Sequence, residues 1–137
     1  MPIKLEFHEN GVLFLASGLV TDEELVKAER GIYTHNYAGK LEYQLCDFTK
    51  VTDFQPTSDT MRSIGLWDRK MASELSRQNV AIVARDGSYV RTMGLIWEVW
   101  TQDSSTGAQG VLTNMVNAWE EAVKWFDSFG IAIEASS

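Results

Sequence analysis

Two stretches of the chain are apolar at both parities, and this narrows its fold more than anything else in the sequence. Leu41 to Phe48 brings Leu41, Tyr43, Leu45, Cys46 and Phe48 close together, and Asn79 to Ala84 runs Val80-Ala81-Ile82-Val83-Ala84 without a break. A strand with one wet face alternates polar and apolar residues, whereas a run apolar at both parities belongs to a strand covered on both faces, as in parallel sheets. Between the two runs, Met61, Ile64, Trp67, Met71 and Leu75 fall on one helical stripe, with Arg62, Asp68, Arg69 and Lys70 mostly off it. Strand, helix and strand in that order make a right-handed crossover with parallel strands.

The flanking segments extend the pattern. Ile3, Leu5 and Phe7 alternate with Lys4, Glu6 and His8, and Glu9-Asn10-Gly11 supplies an Asn-Gly pair that favours a type I′ turn into Val12 to Leu15, an antiparallel hairpin. Thr21 and Glu24 have capping-box spacing, with Val20 and Leu25 placed as a hydrophobic staple. That helix carries Leu25, Ala28 and Ile32 on one face and is expected to fade around Asn36, before Gly39. After the turn Arg85-Asp86-Gly87-Ser88, a third helix has Tyr89, Met93, Ile96 and Trp100 on one stripe, with Val90 and Trp97 beside it, and ends near Asp103. Gln102 to Gly110 reads as a loop. Val111 and Leu112 read either as a last short strand or, with Met115, as part of a helical periodicity, and Asn117 to Glu120 opens a final helix carrying Trp119, Ala122, Val123, Phe126 and Phe129. The expected fold is α/β: one domain over residues 1–137, with a mixed five-stranded sheet, parallel central strands and about four helices.

Composition excludes several functions. The net charge of −7 and the lack of any Lys/Arg run argue against nucleic acid and against anionic membranes. No stretch approaches the roughly 20 apolar residues of a membrane-spanning helix. The run Gly11 to Val20 has the look of a signal-peptide core, but Glu6 and Glu9 precede it and capping residues follow, so it reads as a buried strand. Cys46 is the single cysteine, which rules out an intrachain disulfide and a multi-cysteine metal site and suits the cytoplasm.

Ligands of open α/β sheets bind at strand-to-helix turns. The segment Thr49 to Pro56 reads as such a turn, and Pro56-Thr57-Ser58-Asp59 as the start of the second helix, with hydroxyl caps and an acid in its first turn. Asp47, Asp53 and Asp86 all fall near carboxyl ends of the expected parallel strands, an arrangement that suits a hard cation such as Mg²⁺; the ordinary reading is of solvated turn and cap residues, so no metal site is assigned. Cys46 sits where its strand is buried, and neither His8 nor His35 is placed to activate it, so it reads as an inert core thiol. No Gly-x-Ser-x-Gly elbow and no phosphate-loop fingerprint is present, and no catalytic residue or cofactor is assigned. The five tryptophans all lie on expected helices, more aromatic surface than one small core needs.

The order of elements resembles that of the STAS-like, SpoIIAA-like domains, the family of the bacterial anti-sigma-factor antagonists and their relatives. The pieces that carry the resemblance are GVLFLASGLVTDEEL, LEYQLCDFTKVTDFQP, NVAIVARDGSYVRTMG and EEAVKWF, which together span nearly the whole chain. Relatives are mostly non-enzymatic regulatory modules that bind proteins, and in the antagonists a serine in an Asp-Ser-x-Gly-like motif at the start of the second helix is phosphorylated. This chain has Asp53-Phe54-Gln55-Pro56-Thr57-Ser58 there, with neither the Asp-Ser pair nor the following glycine. The resemblance implies a protein partner met through Asp47, Thr49, Asp53, Thr57, Ser58 and Asp86, with Ser58 or Thr57 as the phosphate acceptor. A small apolar, lipid-like ligand held between helices and sheet is the alternative, which the Trp and Met residues permit. Self-association as a two-fold dimer is expected from the aromatic surface of the third and fourth helices.

Overall fold

The computed structural model describes residues 2–34, 41–74, 78–102 and 111–133. The expected fade of the first helix around Asn36, Leu75 of the second stripe, His35 and most of the loop before Gly110 lie outside them. The chain runs as β1 (Ile3–Phe7), β2 (Gly11–Val20), α1 (Asp22–Thr34), β3 (Tyr43–Phe54), α2 (Ser58–Glu74), β4 (Gln78–Val83), α3 (Tyr89–Thr101), β5 (Val111–Val116) and α4 (Trp119–Asp127). The five strands lie side by side in chain order, with β1 antiparallel to β2 and every other neighbour parallel. This is the expected mixed α/β sheet, and the segment from Val111 is a strand.

Because each parallel crossover advances the sheet in the same direction, α1, α2 and α3 all fall on one face. Val12, Phe14, Cys46, Val80 and Ile82 point to that face and meet Leu25, Ile32, Met61, Ile64, Met93 and Trp97 of the three helices. Leu13, Tyr43, Leu45, Ala81 and Val83 point the other way, onto Ala122 and Phe126 of α4. The two-sided apolar runs therefore reflect two separate cores, one on each face of the same strands.

Four expectations are corrected. Gly11 does not adopt the positive φ that a type I′ turn demands; the hairpin closes by His8 N–H donating to Gly11 O at 2.8 Å, and glycine is needed there because the Tyr43 ring occupies the space of a Cβ. The buried face of α3 is turned from the expected stripe: Met93, Gly94, Trp97 and Thr101 are inside, while Tyr89 and Trp100 are exposed. The cause is a close crossing, in which a Cβ on Gly65 of α2 would come within 2.7 Å of the Trp97 carbonyl oxygen. Asn117 does not cap α4, whose N-cap is Ala118 without a side-chain bond; the Asn117 oxygen is taken by Asp86 N–H at 2.8 Å. Phe129 lies past the end of α4 and is exposed.

A further correction concerns the turn after the central strand. Thr49 to Phe54 continues β3, paired to Ser17–Val20 of β2 through two irregularities of register. Pairing of β3 with β4 ends at Asp47 opposite Val83, so the later half of β3 has β2 as its sole neighbour among the described strands. Polar residues are tolerated on such a half-open strand, and the β-branched Thr49, Val51 and Thr52 favour it.

Candidate functional site

The chain leaves β3 at Phe54 and enters α2 within four residues. Gln55 N–H donates to Val20 O at 2.8 Å, which holds the exit of β3 against β2. Pro56 is buried. Thr57 is the cap of α2: its Oγ1 accepts from Thr60 N–H at 3.3 Å, while its own N–H donates to Asp22 Oδ1 at 3.0 Å. Asp22 thus joins the first turns of α1 and α2, a role without a local signature. Ser58 and Asp59 follow in the first turn of α2 and are exposed, and the Ser58 hydroxyl makes no hydrogen bond among the described residues. A helix start of this kind presents free N–H groups and a partial positive charge.

Of the other residues singled out, Asp53 is exposed and accepts from Gln55 Nε2 at 3.2 Å. Asp47 accepts from Thr49 N–H at 2.9 Å and Thr49 Oγ1 at 2.7 Å, a local turn-like contact where β4 stops pairing. Asp86 is paired with Arg91 at 3.4 Å and its side chain is 81% exposed. Arg91 has a structural part: its guanidinium donates to Ala84 O at 2.9 Å and Met115 O at 3.3 Å, tying the ends of β4 and β5. Asp47 and Asp53 are six residues apart on one strand, about 20 Å at strand rise, so the three aspartates do not converge. No group of three or more metal-ligating side chains exists among the described residues.

The carboxyls that the fold does bring together are Glu29 of α1 and Asp68 of α2, both buried under the sheet. Asp68, expected off the apolar stripe of α2, lies inside. Asp68 Oδ2 accepts from Trp97 Nε1 at 2.7 Å, Oδ1 from the Tyr33 hydroxyl, and the Glu29 and Asp68 carboxyls are hydrogen-bonded to each other. Burial lifts the Glu29 carboxyl well above the usual carboxylate range, reinforced by the neighbouring Asp68 charge. Burial raises Asp68 as well, but three donors oppose that by favouring its charged form. One proton shared by the pair therefore resides on Glu29, which donates it to Asp68. Cys46 lies near both. Burial first, then the carboxylates of Glu29, Asp68 and Asp47, push its thiol well up, as an inert core thiol requires.

Two solved structures are similar to this one. A structure of the anti-sigma factor antagonist SpoIIAA in its unphosphorylated form superposes with a TM-score of 0.56 at 16% identity, over 94% of this chain and 99% of that one. A structure of the Bacillus cell fate determinant SpoIIAA in the phosphorylated form superposes with a TM-score of 0.54 at 15% identity, over 90% and 97%. No family model and no curated protein matches the sequence. The fold is SpoIIAA-like.

Proposed function

We propose that the chain is a single-domain, non-enzymatic regulatory module that binds a partner protein through the end of β3 and the first turn of α2. The observation that carries this reading is the exposed Ser58 hydroxyl, without a hydrogen bond among the described residues, at a helix start on a SpoIIAA-like fold. SpoIIAA itself is an anti-sigma factor antagonist with unphosphorylated and phosphorylated forms. Thr57 is a poorer phosphate acceptor because its hydroxyl is spent on the cap. In this reading Thr57 and Asp53 flank Ser58 on the contact surface, and Asp47, Thr49 and Asp86 take no part in it.

A phosphate on Ser58 would meet the favourable end of the helix dipole, yet Asp22, Asp53 and Asp59 crowd the same surface with like charge. Its main effect in this reading is to repel an acidic partner surface. Arg62, one turn on, is engaged over the Trp100 ring at 5.9 Å. The lone buried Cys46 suits a reducing, cytoplasmic setting, and no described helix is long and apolar enough to cross a membrane.

Capture from lysate of the native host, with wild type and Ser58→Asp as baits, tests the reading. A protein retained by the wild type and lost by Ser58→Asp supports it; the same proteins with both baits, or none with either, overturn it. Self-association is a separate proposal, supported by Leu95, Val99 and Trp100 standing exposed along α3. A monomer by light scattering at high micromolar concentration would dismiss it.

A further inference from the structure

Between the sheet and helices α1 to α3 lies a cavity of about 40 Å³, against the roughly 10–15 Å³ that one water needs. Its wall is apolar except at three side chains, Glu29, Gln44 and Cys46. Phe48 and Val90 are the half-buried members of that wall, which places the way in between the later half of β3 and the start of α3.

Glu29 is 7% exposed, and its Oε2 is fully buried without a hydrogen-bond partner among the described residues. Dry protein cavities are lined by apolar groups alone, and a buried oxygen without a donor is costly. A carboxyl that gives its one proton to Asp68 keeps its second oxygen as an acceptor, and an occupant must supply the donor. Because the rest of the wall is hydrocarbon and aromatic carbon apart from the Gln44 amide and the Cys46 thiol, a charged occupant would lose its hydration with little in return.

We propose that this cavity is a binding site for a small neutral molecule, apolar over most of its surface, that gives one hydroxyl or N–H hydrogen bond to the Glu29 carboxyl. A short aliphatic alcohol is the simplest member of the class. The site is distinct from the surface at Ser58 and does not depend on that surface binding a protein.

The test uses 1-propanol and its isomer ethyl methyl ether, which has the same atoms and no donor, titrated into the intact protein and followed by amide shifts in NMR. Saturable shifts at Glu29, Cys46 and Trp97 are expected, with the alcohol bound about tenfold more tightly than the ether, the worth of one hydrogen bond. Glu29→Gln, which keeps a carbonyl oxygen and a donor toward Asp68, should retain the preference, and Glu29→Leu should abolish it. Val80→Phe fills the space while leaving Glu29 in place, and should remove binding of both compounds. The proposal is overturned by an absence of saturable binding to the wild type, by equal binding of alcohol and ether, or by an alcohol preference that survives Glu29→Leu. The wild-type comparison of the two isomers decides the matter even if a variant fails to fold.

Discussion

The first turn of α2 and its middle carry the same chemistry in opposite surroundings. At the start, Thr57, Ser58 and Asp59 are in water, held by one bond to Asp22, one cap and a Thr57–Thr60 hydroxyl bond. Three turns on, Asp68 is 4% exposed and takes hydrogen bonds from three residues on two other helices. An aspartate in the first turn is replaceable in the fold and free to act on a partner, whereas the aspartate in the middle is bound to the fold and free to act on nothing outside it. Carboxylates on one helix thus divide into surface and framework according to which face of the helix they occupy.

The largest expected effect separates these two regions outright. Asp68→Ala removes the acceptor for Trp97, Tyr33 and Glu29 together and should cost about 3–5 kcal/mol of stability in urea unfolding, while Asp59→Ala, at the exposed acid of the first turn, should stay within about 1 kcal/mol. Similar costs for both would erase the contrast. The pH dependence comes next. Glu29 has a folded pKa above its unfolded value, so the folded state holds the extra proton and the pair's stabilisation is complete below about pH 4, the unfolded value. It is lost as pH rises through the folded value, at about 1.4 kcal/mol per pH unit within that window. Glu29→Gln should flatten this decline, and a profile unchanged by the substitution would show that the pair does not share a proton.

Smaller effects belong to the surface. Thr57→Ala should lower stability by about 1 kcal/mol through loss of the cap, seen as a lower urea midpoint with unchanged slope. Ser58→Asp should change stability by less than about 0.5 kcal/mol, since the helix dipole and the neighbouring acids oppose each other, yet remove partner capture. A Ser58→Asp protein that was destabilised by more than Thr57→Ala would mean that Ser58 is part of the framework after all.

Much of the fold was readable because its signals are local. The capping pair is real, with Thr21 Oγ1 accepting from Glu24 N–H at 3.2 Å, and the two-sided strands and four helices follow from period and run length. What was missed depends on partners distant in sequence. Thr49 to Phe54 reads as a turn unless β2 is known to run beside it. Glu29 and Asp68 are charged residues set among apolar ones, and only the tertiary fold shows that each faces the other. A faint signal was present in their spacing: Glu29 is four residues after Leu25 and three before Ile32, and Asp68 is four after Ile64 and seven after Met61, so each falls on its helix's apolar stripe. Of the surface residues, Thr57, Ser58 and Asp53 do gather near one strand exit, but Asp22, which binds the start of α2 to α1, carried no signal of its own.

The claim that matters most is that a partner meets the start of α2 and not the exposed apolar side of α3. Hydrogen exchange with and without the protein captured by the wild type measures this directly. Added partner should slow exchange at amides from Gln55 to Arg62 and leave Leu95 to Trp100 unchanged. Protection confined to Leu95 through Trp100, with the start of α2 exchanging as before, would contradict the account.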